Sequence, residues 1–357
     1  MSSFEVRRAN LRDSRTTTAA VPEPDADEAL LAIDGFGLTS NNVTYAALGD
    51  TLAYWDFFPA DNGWGRIPVW GFATVHASRH PALAEGTRMF GFLPPATHLV
   101  VRPDRVTDAS FVDASTHRAN LPPAYNSYVL VEADPSYEPD REAEQMLLRP
   151  LFFLSFLLAD FLTEAELEGA RTVVVSSASS KAALGTAFLL AQHGVRTIGL
   201  TSEANLDFVD GLGIYGQVVL YREVENLELE PAVYADISGN HELRASVHRR
   251  YGAALRASLA VGQTHWGDAA GERPPLPGPE PVFFFAPDRI RKRTKDWGRD
   301  GLEARIAEAW GPFIDWTDGW LAVARGSGPG AVEAAYREVL GGRCAPWIGH
   351  VLSLQAD

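Results

Sequence analysis

Between residues 172 and 265 the chain repeats a pattern that leaves few folds open: short, unbroken apolar runs separated by helix-like stretches. The runs are TVVVSS, RTIGLTS, QVVLY, AVYADISG and RASLAVGQTHW. They are rich in β-branched residues and lack polar alternation, as strands covered on both faces of a parallel sheet require. KAALGTAFLLAQHG, NLDFVDGLGIYG and ELRASVHRRYG read as helices between them. The first of these places Leu184, Phe188 and Ala191 on one side and stops at Gly194. Parallel strands need crossover connections, so this alternation predicts an α/β domain over 140–265, an open, doubly wound parallel sheet with helices on both faces.

The flanking segments have a different texture. Residues 1–139 hold short strand-like runs (EALLAIDGFGL, RIPVWGFATVHAS, TRMFGFLPPATHLVVRP, NSYVLVE) divided by Gly, Pro, Asn and Asp, which predicts an irregular, mostly β domain. A long helix is expected over 142–170, with a candidate break at Pro150. After the linker GERPPLPGPEP, residues 266–357 supply VFFFAP, a helix around 297–310 and a short β/α ending. That segment is too small to stand alone and is expected to return to the first domain. Its basic run, RIRKRTKDWGRD at 289–300, is interleaved with acids and reads as a solvated helix face.

Charge and cysteine usage exclude several functions. A net charge of -15 weighs against nucleic acid, which needs a concentrated positive surface. The single cysteine, Cys344, excludes an intrachain disulfide framework and Cys-rich metal centres. The stretch MLLRPLFFLSFLLADFL contains Arg149, Pro150 and Asp160 and falls short of the ~20 uninterrupted apolar residues of a span, so it reads as a buried helix. The opening MSSFEVRRANLRDSR is too polar for a signal peptide. A cytoplasmic protein that engages neither nucleic acid nor membrane is expected.

The turn after the first of the five strands carries the functional question. In open α/β sheets, ligands lie beyond the carboxyl ends of the strands, with phosphates at the first helix N-terminus. Here VVVSSASSKAALG has serines where glycines are usual. Ser177, Ser180 and Ala183 keep a small-residue spacing that permits close backbone approach if none needs a positive φ. Ser176, Ser177, Ser179 and Ser180 add hydroxyls, and Lys181 adds a cation that is unfavourable at a helix N-terminus unless an anion is bound. Two readings stand, a phosphate site or a serine helix cap. The second strand ends in Thr201 and Ser202 with Glu203 following, and hydroxyls there suit a 2'-phosphate better than a carboxylate does, which favours NADP(H) over NAD(H). Lys181, Asn205 and Arg222 are the nearby candidates to contact it.

This layout resembles the medium-chain dehydrogenase/reductase superfamily, in its zinc-free quinone and enoyl reductase branch, and also the DUF2855 family. The segments AIDGFGLTSNNVTYAALGD, RIPVWGFATV and EGTRMFGF resemble that superfamily's early strands, VVVSSASSKAALG stands at its glycine turn, and ADISGN and LAVGQTH resemble its fourth and fifth strands. The resemblance implies a GroES-like β domain, a Rossmann-type domain and a C-terminal return. It also implies cofactor contacts at Gly239, Gly262, Thr264 and His265. Asn41 or Asn42 falls where related reductases carry an asparagine, and Tyr54, with Tyr45 as the other candidate, corresponds to their proton-donating tyrosine. The superfamily keeps at least two glycines in the turn, and this chain departs from that. PVWGFATVHASRHPALAEG has no cysteine, and His76 and His80 have no obvious third ligand, so no catalytic zinc is expected there.

The expected function is metal-independent, NADP(H)-dependent reduction of an activated C=C bond or quinone of a small apolar or aromatic substrate. Asn42, Tyr45 and Tyr54 are the catalytic candidates, and Tyr54, Trp64, Trp70 and Phe92 form a candidate apolar pocket. The same tyrosines also fit an aromatic core. Alternatives are a carbonyl reductase or alcohol dehydrogenase, and a non-catalytic protein with a degenerate dinucleotide fold. No G-x-S-x-G elbow or ATP-binding loop is present. A homodimer is expected, as in related reductases.

Overall fold

The computed structural model describes residues 1–164, 166–261 and 275–355. The chain divides into two units, Met1–Arg149 with Leu321–Asp357, and Pro150–Trp320. The crossings fall at 149/150 and 320/321, where the sequence reading put 139/140 and 265/266. The helix after the Pro/Gly linker belongs with the parallel sheet, and only the segment from Leu321 onward joins the first unit.

The first unit holds a three-stranded and a nine-stranded sheet. In the larger one, Ala29–Leu38 is central. It pairs antiparallel with Val69–Ser78, with His98–Val101 and with the C-terminal strand Ile348–Ser353, where His350 faces Leu38. Val69–Ser78 continues antiparallel to Arg88–Leu93 and then to Ser127–Leu130. The backbone of Met146 crosses Gly37 so closely that a Cβ there would lie 2.7 Å from the Met146 carbonyl oxygen. Phe36, Phe57, Phe92, Phe111, Tyr128 and Tyr336 are buried in the core. Each such ring contributes about 1.5–3 kcal/mol of transfer free energy. Residues 40–47, within the segment that resembled early strands, instead form the helix Ser40–Ala47.

The second unit is the parallel sheet. Its strands are Thr172–Val175, Arg196–Thr201, Gln217–Leu220, Ala232–Asp236, Leu255–Ala260 and Val282–Phe283, here called first to sixth. All neighbours pair in parallel, in the spatial order third, second, first, fourth, fifth, sixth. The order reverses between the first and fourth strands, which is the topological switch point of a Rossmann sheet. The sixth strand comes from VFFFAP, beyond the linker. The helix Glu142–Glu164 runs on through Pro150 and ends before the predicted Ala170. Against its second half lies the helix Lys181–Gln192, where Gly185 leaves room for Ser155: a Cβ at Gly185 would meet Ser155 Oγ at 2.7 Å.

The basic run is a solvated face at Arg291, Lys292, Lys295 and Arg299, but not throughout. The helix Ala286–Thr317, interrupted at Gly298 (φ 76°), buries Arg289 and Arg293. Arg293 forks onto both oxygens of Asp160 at 2.8 and 2.9 Å, and Arg289 reaches Asp160 and Glu164. Bidentate guanidinium–carboxylate pairing of this kind compensates the desolvation of both charges.

Candidate functional site

In the second unit, the buried first strand leads into residues 176–180, and Ser180 caps the helix Lys181–Gln192 by accepting from the Ala183 N–H at 3.3 Å. Ser177 sits at φ 54°, in the left-handed region. The condition that no small residue of this turn needs a positive φ is therefore not met, because the bend is made by a serine in a conformation glycine adopts freely. Two tyrosines hold it. Tyr215 donates to the Ala178 carbonyl at 2.9 Å, and Tyr221 is hydrogen-bonded to Ser177 through both backbone and side chain. Burial pushes the pKa of both phenols up, so they stay neutral.

The switch point is tied together by Asp236, at the end of the fourth strand and fully buried. Its Oδ1 accepts from Ser176 Oγ (2.9 Å), Ser238 Oγ (2.9 Å) and the Gly239 N–H (3.0 Å), and its Oδ2 accepts from Arg244 Nε at 2.7 Å. The sequence showed Asp236 without its partner Arg244. Gly239 adopts φ 65°, which serves the turn that brings its N–H to Asp236.

At the end of the second strand, Thr201 is fully buried and its Oγ1 has no hydrogen-bond partner. The Thr201 hydroxyl is thus enclosed at the strand end. Ser202 is half-buried just beyond. Asn205 donates to Ser179 Oγ at 3.0 Å, which links this strand end to the serine turn. Arg222 is exposed and paired with Glu203 at 2.9 Å. The structure thus groups Ser177, Ser179, Ser180, Lys181 and Asn205 around one turn, with Ser202, Glu203 and Arg222 near the second and third strand ends. Gly262, Thr264 and His265 lie outside the described residues.

In the first unit, Asn42 is committed to structure. Its Oδ1 accepts from the Thr39 N–H at 2.8 Å and its Nδ2 donates to the Pro68 carbonyl at 2.9 Å, in a side chain 4 % exposed. One end of the amide caps the helix Ser40–Ala47 and the other ties it to the segment that leads into Val69–Ser78. Tyr45 and Tyr54 do come together, their ring centroids 4.6 Å apart. Trp70 Nε1 donates to the Tyr45 hydroxyl at 3.3 Å. Trp70 and Phe92 belong to the same cluster, whereas Trp64 lies under Arg7 and Arg15 and does not.

Sequence reasoning missed Tyr125. It lies in the short helical turn Pro123–Tyr125, and its hydroxyl is 3.3 Å from that of Tyr54. Its ring stands 4.7 Å from Phe92 and 6.0 Å from Trp70. Burial pushes the Tyr54 phenol up to about 12, and those of Tyr45 and Tyr125 up as well. Three protonated phenols on aromatic walls can hydrogen-bond a carbonyl oxygen or deliver a proton at neutral pH. His76 is exposed and His80 half-buried, at the end of and just beyond Val69–Ser78.

Residues 36–345 match the model of a family described as "Protein of unknown function (DUF2855)". No curated protein matches the sequence. Among solved structures, CurA from Vibrio vulnificus in complex with NADPH is similar over 100 % of both chains, with a TM-score of 0.66 and 11 % identity. The quinone oxidoreductase of Thermus thermophilus, solved alone and with NADPH, is similar over 99 % of this chain and 100 % of its own (TM-score 0.54, 16 % identity). CurK enoyl reductase is similar over 99 % of this chain and 98 % of its own (TM-score 0.58, 14 % identity). The fold is therefore that of the medium-chain reductases, a GroES-like β unit with a Rossmann unit.

Proposed function

The chain belongs to the DUF2855 family, and we propose that it is an NADP(H)-dependent oxidoreductase that reduces an activated C=C bond or quinone of a small apolar or aromatic substrate without a catalytic metal. The observation that carries this reading is the left-handed turn at Ser177 at the switch point of a Rossmann-ordered sheet. At a strain cost, and clamped by Tyr215 and Tyr221, Ser177 supplies the tight positive-φ bend that a glycine makes in a dinucleotide-binding turn, and the turn keeps its place at the helix N-terminus. The fold it shares with structures holding NADPH supports the same cofactor.

The residues present fit the cofactor. Ser177, Ser179 and Lys181, with the N-terminus of Lys181–Gln192, would hold the pyrophosphate. Ser202, Asn205 and Arg222 would hold the 2'-phosphate. Bound there, NADPH supplies a hydride. In the first unit, Tyr54 donates a hydrogen bond or its proton to the oxygen that gains negative charge, and Tyr125 holds the Tyr54 hydroxyl in place. Trp70 stacks on a planar substrate, and Phe92 and Tyr45, packed behind it, keep the site apolar.

The test is the loss of NADPH absorbance in metal-free buffer with a small quinone, a conjugated enone or a simple aldehyde as acceptor. Turnover with the first or second supports the reading, and turnover with the aldehyde alone would replace it by carbonyl reduction.

A further inference from the structure

The segment from residue 338 to residue 350 in the first unit places three side chains of different chemistry around one point. Glu338 lies in the last turn of the helix Gly328–Leu340, Cys344 in the following turn, and His350 on the strand Ile348–Ser353. One ligand atom from each, a carboxylate oxygen, Sγ and an imidazole nitrogen, lies within 4.8 Å of the other two. His350 Nε2 is 3.7 Å from Cys344 Sγ and 3.6 Å from Glu338 Oε2.

Cys344 Sγ also lies 3.6 Å from the Ala345 carbonyl oxygen and 3.9 Å from that of Ile348, in reach of weak S–H hydrogen bonds, so what marks the cluster is the convergence of all three groups on one point. An N–H···O hydrogen bond spans about 2.7–3.2 Å, so the His350–Glu338 contact is longer than a bonded pair. Both neighbours also converge on the same ring nitrogen, which has one N–H at most to give. In a Ser/Cys–His–acid relay the nucleophile and the acid use opposite nitrogens, so this arrangement is not one. Two of its edges, S···N and N···O, match those of a metal tetrahedron, and the third is within 4.8 Å. With Zn–S near 2.3 Å and Zn–N or Zn–O near 2.0–2.2 Å, tetrahedral angles put S and N roughly 3.6 Å apart and N and O roughly 3.4 Å apart.

We infer that Glu338, Cys344 and His350 form a binding site for a soft divalent cation of the zinc type, with water as the fourth ligand. The scaffold suits it. His350 is 7 % exposed and fixed on a strand paired on both sides, with Ala324 and Leu38. The positive φ of Gly342 (64°) turns the chain back so that Cys344 faces it. Thiolate, imidazole and carboxylate together favour zinc over magnesium or calcium, which take oxygen ligands. A bound ion would pin the end of the helix to the sheet, separately from the reductase reading.

The experiment uses the full chain, reduced and stripped of metal with a chelator. It titrates Co²⁺ followed by visible absorption and measures alkylation of Cys344 with and without Zn²⁺. Expected are a thiolate-to-cobalt charge-transfer band saturating at one equivalent and protection of Cys344 by one equivalent of Zn²⁺. Cys344→Ser should abolish the band, and the surface change Glu338→Gln should weaken Co²⁺ binding at least tenfold with an unchanged circular dichroism spectrum. No band at stoichiometric Co²⁺, alkylation indifferent to Zn²⁺, or Glu338→Gln binding as the wild type does would overturn the site.

Discussion

The hydroxyls of Tyr54 and Tyr125 lie 3.3 Å apart, joining residues 71 positions distant in sequence into one protonated pair. Burial first, and Tyr45 second, hold the Tyr54 phenol near 12, so it carries its proton throughout the neutral range. Loss of a general acid typically costs about 10²–10⁴ in rate. Tyr54→Phe is expected to lower kcat about 100-fold with little change in the KM for NADPH. Tyr125→Phe, acting through Tyr54, should cost about tenfold. Steady-state kinetics with the best acceptor decides, and an effect confined to the acceptor KM in both variants would reduce them to pocket walls.

The strain at Ser177 can be isolated by comparing two variants that both lack its hydroxyl. Ser177→Gly should be more stable than Ser177→Ala by about 1 kcal/mol, because only alanine retains the left-handed penalty. Denaturant unfolding measures it, and equal stability would mean the turn relaxes without cost.

Asp236 accepts from four neighbours while fully buried, and Arg244 beside it is largely enclosed. Asp236→Ala leaves that guanidinium and two serine hydroxyls without their acceptor. A loss of about 3–5 kcal/mol is expected in urea unfolding, the range for breaking one side of a buried ion pair.

Hydrogen bonds from Lys292 and then Arg289 draw the Glu164 carboxyl down from 4.5 to about 2. A depressed carboxyl stabilises the fold above its unfolded value, and that contribution is lost as pH falls toward the folded one. The stability gap between wild type and Glu164→Gln should therefore be full at about pH 6 and close between about pH 5 and 2. Chemical unfolding midpoints across that range provide the measurement.

The parallel sheet could be read from the sequence because strands covered on both faces carry their burial in unbroken runs such as TVVVSS. Arg289 and Arg293 were misread because their partner Asp160 lies 129 and 133 residues away, and a charge run says nothing of distant acids. The two structural hydrogen bonds of Asn42 were not legible for a different reason. A buried amide that starts a helix has the same local sequence as one that faces a substrate. Tyr125 sat in a proline turn with no periodicity to mark it, and only the folded first unit sets it beside Tyr54.

Arg222 is paired with Glu203 at the surface, where such pairs contribute only about 0–1 kcal/mol and exchange readily for a phosphate. Glu203→Gln should therefore tighten NADPH binding severalfold and leave NADH unaffected. Fluorescence titration with both nucleotides would show it, and equal gains for the two would remove Arg222 from the 2'-phosphate site.

The proposed activity depends on binding of a phosphorylated dinucleotide at the serine turn. Calorimetric titration of the metal-free chain with NADPH and NADH tests it most directly, wild type beside Lys181→Ala and Ser202→Asp. Expected is NADPH binding at millimolar affinity or tighter, about tenfold weaker in Lys181→Ala, with preference moving toward NADH in Ser202→Asp. No heat with either nucleotide would contradict it and leave a Rossmann fold that has lost its cofactor.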